Sequence, residues 1–134
     1  MQTPVPIRVL VIDKSLVVCK VLQIGLQRVG YHVAYSLDPR VILPYLRREN
    51  TLWPHVLFLE LLLPGLDGFE VLEELNAHRP EAFKDLTCII ISRRDHPLYR
   101  QEARSLGAKE YVLKPFSLDE IIALVQRHTA SLHE

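Results

Sequence analysis

Four charged side chains fall where short apolar runs end. Asp13 and Lys14 follow Arg8–Ile12, Glu60 follows His55–Leu59, and Lys114 follows Glu110–Leu113. Ser92 and Arg93 follow a fourth run, Thr87–Ile91. Carboxylates and ammonium groups gathered at one place can hold a cation, grip an anion or neutralise one another. Two acids and two lysines sum to zero, which favours salt bridges over a cation site. Lys14, Lys114 or both are therefore expected to pair with Glu60 or Asp13. Other chemistries lack their residues. The six histidines (His32, His55, His78, His96, His128, His133) are scattered, without nucleophile or metal-ligand spacing. A flavin or nucleotide site needs a phosphate-cradling loop after the first strand, and Asp13-Lys-Ser-Leu-Val17 is not one. There is no Walker or GxGxxG pattern. The chain does not read as an enzyme, and no metal site is expected.

The elements that must position these groups alternate between short apolar runs and amphipathic helical patterns, the signature of β/α units around a parallel sheet. Arg8–Ile12 is nearly continuous in apolar residues, as a strand covered on both faces requires. Ser15 can cap a first helix with Val18, Val21, Leu22, Gly25, Leu26 and Val29 on one stripe and Gly30 at its end. Tyr31–Tyr35 reads as a second strand. Asp38-Pro39 opens a second helix, but Pro44 must kink it or delay its start to near Leu43. Further elements are strands at His55–Leu59, Thr87–Ile91 and Glu110–Leu113 and helices at Asp67–Ala77 and Pro97–Leu106. Ser117 and Glu120 form a capping box for a last helix facing inward through Leu118, Ile121, Ile122 and Val125. Ligands of such folds sit at the carboxyl ends of the strands, where the charged residues lie.

Composition bounds the rest. A chain of 134 residues, 49% apolar and 24% charged, is one domain with a real core. Sixteen basic and sixteen acidic residues cancel, which argues against nucleic acid as a partner. Apolar runs are strand-length, so no membrane span is expected, and Met1-Gln2-Thr3-Pro4 does not resemble a signal peptide. Cys19 and Cys88 have no CxxC spacing and read as reduced, packed thiols. A cytoplasmic location is expected.

Three segments resemble the receiver domains of two-component response regulators. Val9-Leu-Val-Ile-Asp-Lys-Ser15 looks like the family's first strand and acidic pair. Leu59-Glu-Leu-Leu-Leu-Pro-Gly-Leu-Asp-Gly68 looks like the stretch around its phosphorylated aspartate. Gly107-Ala-Lys-Glu-Tyr111 with Lys114-Pro115-Phe116 looks like its closing signature. The likeness runs from about Ile7 to Leu124. It implies a flavodoxin-like (βα)5 fold, doubly wound, with a five-stranded parallel sheet in the order 2-1-3-4-5. It also implies one receiver domain over residues 1–134 with a core at about 7–130, and a cis peptide at Lys114-Pro115 that aims the lysine into the site.

In that family an aspartate takes the phosphoryl group, an acidic pair helps hold magnesium, and a lysine grips the phosphoryl oxygens. This chain keeps Asp13 and Lys114. Glu60 stands at the phosphoacceptor position, and Lys14 replaces one acid of the pair. An ammonium in place of a ligand repels a dication by roughly 4 kcal/mol at about 4 Å in a partly screened site. Weak or absent magnesium binding is expected. The extra methylene of Glu60 also moves its carboxylate outward by roughly 1.5 Å, which in-line attack tolerates poorly. The same outward charge could imitate a phosphorylated aspartate. Ser92 and Tyr111 match the family's switch pair, a hydroxyl and an aromatic ring that turns inward behind it. Arg93, where the family has a small residue, would cover the pocket or be a solvated surface arginine.

The resemblance thus implies a two-component receiver with a degenerate phosphoacceptor site. It would signal by protein–protein contact with a histidine kinase-like protein or downstream effector, as a monomer or weak dimer. The implied contact surface is the fourth helix, fifth strand and fifth helix, where Arg100, Arg104 and Lys109 could meet an acidic partner. Two alternatives stay open: phosphorylation at a substitute residue such as Asp13, or an N-terminal piece of a longer regulator with an output domain.

Overall fold

The structure, a computed structural model, describes residues 6–133; the expectation about Met1–Pro4 lies outside them. Its elements, in chain order, are β1 (Arg8–Ile12), α1 (Leu16–Arg28), β2 (His32–Ser36), α2 (Pro39–Leu46), β3 (Val56–Glu60) and α3 (Gly68–His78). There follow α4 (Pro80–Asp85), β4 (Thr87–Ser92), α5 (Pro97–Ser105), β5 (Glu110–Leu113) and α6 (Leu118–Thr129), closed by a 3₁₀ turn at Ala130–His133. The five strands form one parallel sheet in the order β2-β1-β3-β4-β5, the doubly wound order expected from the sequence.

Strand residues alternate between the two faces, so each apolar run feeds two cores. Leu10, Ile12, Leu57, Leu59, Cys88 and Ile90 join Leu43, Leu72, Leu75 and Phe83 under α2 to α5. Val9, Val11, Val56, Phe58, Ile89 and Ile91 join Leu22, Leu26, Ile121 and Val125 under α1 and α6. The central strands β3 and β4 are buried along their whole length, which leaves their carboxyl ends as rigid platforms.

Three elements differ from the sequence expectation. First, the stretch between the helix expected at Asp67–Ala77 and the strand at Thr87, to which no element was assigned, holds a helix of its own. Arg79 leaves helical geometry and Pro80 starts the short α4, a first-turn proline. The helices expected as fourth and fifth are therefore α5 and α6. Second, α2 does not start late near Leu43: it begins at Pro39, capped by Asp38, as the other reading had it, and continues through Pro44. Third, the α1 stripe is turned. Cys19 is buried beside Leu22, Gly25 and Leu26, whereas Val21 and Val29 are 42% and 43% exposed. Val18 is half-buried. The apolar residues of α1 run round most of the helix rather than along one stripe, so periodicity alone could not choose the face.

Candidate functional site

Local chemistry fixes the ends of β1, β3, β4 and β5. Beyond β1, Asp13 Oδ1 accepts the Ser15 amide at 2.8 Å, and Ser15 Oγ accepts Val18 N to cap α1. That tight turn leaves Lys14 exposed. After β3 the chain doubles back: Gly68 N donates to Leu61 O at 2.9 Å. A Cβ at Gly68 would stand 2.6 Å from Glu60 O, so only glycine lets α3 start this close to the strand. The Lys114-Pro115 peptide is cis, as expected.

Lys114 Nζ lies across the site, 2.6 Å from Asp13 Oδ2 and 3.0 Å from Glu60 Oε1. The second Glu60 oxygen accepts the Leu61 amide at 2.8 Å. All three side chains are withdrawn from water: exposure is 0% for Asp13, 5% for Glu60 and 8% for Lys114. No buried side-chain polar atom among the described residues lacks a hydrogen-bond partner, so the cluster satisfies itself.

Lys114 alone makes the bridge. Lys14, expected as a possible second partner, is exposed and pairs with neither acid. Its position in the Asp13–Ser15 turn points it outward, and a lone ammonium gains more from water than from a crowded pocket. The buried set therefore keeps one negative charge rather than reaching zero. Among the described residues no group of three or more His, Cys, Asp or Glu side chains converges as a metal site would require. Asp13 and Glu60, with an ammonium already between them, are a poor donor set for the family's magnesium.

Ser92, fully buried at the end of β4, accepts the Arg94 amide on Oγ at 3.1 Å. Tyr111 is half-buried, packs against the core beneath α5, and donates its hydroxyl to Arg94 O at 2.6 Å. The ring is thus turned inward. Burial is the main cause that holds its phenol above the ordinary range. Arg93 is exposed.

The neighbouring Arg94 is the residue the sequence did not single out. Its amide meets Ser92 and its carbonyl meets Tyr111. Its guanidinium lies 4.9 Å from the Tyr99 ring centroid and donates to the Tyr99 hydroxyl at 2.6 Å. Tyr99 in turn stacks on Phe69, with centroids 6.5 Å apart. A Tyr two residues past a first-turn proline was a visible signal, but which of two adjacent arginines turns inward was not.

A doubly wound parallel sheet with a buried carboxylate–lysine cluster at its strand ends and a Ser/Tyr pair beside it defines the receiver class. The match to known proteins is direct. The model of the response regulator receiver domain family covers residues 9–126, and the chain belongs to that family. It is similar to Protein PilG of Pseudomonas aeruginosa, 26% identical over 125 residues, covering 93% of this chain and 89% of that protein. It is 31% identical over 118 residues to Response regulator MprA of Mycolicibacterium vanbaalenii, covering 88% of this chain but 48% of that protein. Among solved structures, a CheY-like receiver domain protein from Methanospirillum hungatei has a TM-score of 0.82 at 18% identity, over 96% of this chain and 97% of that one. Chemotaxis protein CheY4 of Vibrio cholerae has a TM-score of 0.80 at 23% identity, over 92% and 98%. At those identities the likeness concerns the fold. The chain is a receiver domain of two-component signal transduction, and no helix among its described residues is long and apolar enough to cross a membrane.

Proposed function

We propose that this receiver signals by docking to protein partners without an aspartyl phosphate. The observation that carries the reading is the Lys114 bridge to Asp13 and Glu60. The lysine that would meet a phosphoryl group already has two carboxylates, and the position that would accept one holds a longer side chain. On this reading the protein is not an enzyme and binds magnesium weakly or not at all. It acts in the cytoplasm, as a monomer or weak dimer. The inward Tyr111 supports the further view that Glu60 holds an active-like arrangement of the switch pair. The docking surface is α5, β5 and α6, and the partner is a histidine kinase-like protein or a downstream effector.

The test is the intact mass after incubation with magnesium and acetyl phosphate. The expected result is an unchanged mass. A stoichiometric phosphoryl adduct would overturn the reading, and its mapping would name the substitute acceptor.

A further inference from the structure

The two carboxylates that Lys114 Nζ bridges are not equivalent. Asp13 is fixed twice, with Oδ1 on the Ser15 amide and Oδ2 at 2.6 Å from Nζ. Glu60 has one more methylene, holds Oε1 at 3.0 Å from Nζ and rests Oε2 on the Leu61 amide at 2.8 Å. Beyond pairing as ions, an amine and a carboxyl group can condense to an amide with loss of water. In bulk solvent the charged forms and the excess of water prevent this. Here all three groups are buried, which disfavours separated charges and keeps solvent out of the reacting volume. The nitrogen already stands against the carboxyl group at about the near-attack separation of 3–3.5 Å, where effective molarities reach about 10⁵ M or more.

We propose that this ion pair is the precursor of an amide between Lys114 Nζ and Glu60 Cδ, formed slowly in the folded chain with Asp13 as the acid–base group. One proton passes from Nζ to Glu60 Oε1 along their hydrogen bond, which leaves a neutral amine facing a neutral acid. The amine attacks Cδ, and the charge that develops on Oε2 meets the Leu61 N–H, a donor already in place. Asp13 Oδ2 takes a second proton from the nitrogen and gives it to Oε1. The Cδ–Oε1 bond breaks, one water leaves, and Asp13 is a carboxylate again. Nothing is oxidised or reduced, and no co-reactant enters. The two acids do not exchange roles, because the turn to Ser15 holds Asp13 still, whereas the extra torsion of Glu60 lets its carboxyl carbon turn toward the nitrogen. The product ties the end of β3 to the residue after β5, 54 positions along the chain, and withdraws the lysine from phosphoryl chemistry for good. This rests on the reading that the cluster stands in place of a phosphorylation site.

The experiment is the intact mass of the full chain, fresh and after prolonged warm incubation below its unfolding temperature with no phosphodonor, followed by fragment sequencing of a digest. Expected is a species one water lighter than the sequence requires, growing with time, not forming in urea, and yielding a branched peptide that joins Lys114 to Glu60. Asp13→Asn, with its fold checked by circular dichroism, should form it at least about tenfold more slowly, and Lys114→Arg should not form it. A wild-type mass that stays at the sequence value would overturn the proposal. So would a lost water that maps to Asp13 or to Asp67-Gly68, the one Asp-Gly pair of the chain, where imide closure also releases water. A rate unchanged in a folded Asp13→Asn would remove Asp13 from the reaction and overturn the scheme. With acetyl phosphate the mass reads a gain: an adduct sinks the docking reading, whereas a wild-type mass fixed at the sequence value sinks the amide alone.

Discussion

Replacing Lys114 by Met removes the one cation that holds two buried acids together. Contacts of 2.6 and 3.0 Å each correspond to roughly 6 kcal/mol of gross attraction at an effective dielectric near 20. The desolvation of three charged groups cancels most of that sum, so the net cost of removing one partner from a buried pair is roughly 3–5 kcal/mol. Without the ammonium, Asp13 and Glu60 face each other as buried like charges with no cation between them. Urea unfolding should show a large fall in midpoint with an unchanged slope. Adding Glu60→Gln to Lys114→Met should restore part of the loss, because one buried charge is gone. A loss below about 1 kcal/mol, the size of a surface pair, or no recovery in the double variant, would contradict this account of the cluster.

Two glycines should respond unequally to alanine. In Gly68→Ala the new Cβ meets the backbone of Glu60 and Leu61 at 2.6 and 2.9 Å, so a loss of roughly 1–3 kcal/mol is expected in urea unfolding; in Gly25→Ala the obstacle is the flexible end of Leu118, and the loss should be smaller. Burial would raise the Glu110 carboxyl, but hydrogen bonds from His128 and Arg127 outweigh it and hold the group below the usual carboxylate range. Its contribution is present above the unfolded carboxylate value and lost as pH falls through the lowered one, so Glu110→Gln should flatten the acid limb of a stability–pH profile. Burial lifts the thiols of Cys19 and Cys88 to about 11 and about 12. Neither should react with a thiol reagent in the native protein at neutral pH, and both should react in urea.

The sheet was legible because its strands are buried on both faces, and a short, continuous apolar run between turn residues is what such a strand demands. Arg8–Ile12 and Glu110–Leu113 fall where the sequence put them, β2 and β3 lie one residue further along the chain, and β4 runs one residue longer. Three helix caps were legible for a chemical reason: Ser15, Asp38 and Ser117 each accept an amide of the first turn; Asp67, read as the first helical residue, does the same as a cap. The short α4 was hidden because six residues carry too little periodicity to separate from a loop. At the site, residue types placed Asp13, Glu60 and Lys114 together, but not which lysine would bridge. Lys14 and Lys114 are chemically alike; only the turn through Asp13 and Ser15 sends one outward. The same limit hid Arg94 behind Arg93, since neighbours in an irregular loop have no period to tell them apart.

The Lys114 bridge also bears on time. A phosphoryl group on a carboxylate is a bond with a lifetime, and hydrolysis of that bond ends a signal on its own schedule. A salt bridge buried at 0%, 5% and 8% exposure has no such clock. On the proposed reading the duration of an output follows from how long a partner stays bound and how much of this protein is present. Its off-switch would then be dissociation or turnover of the chain.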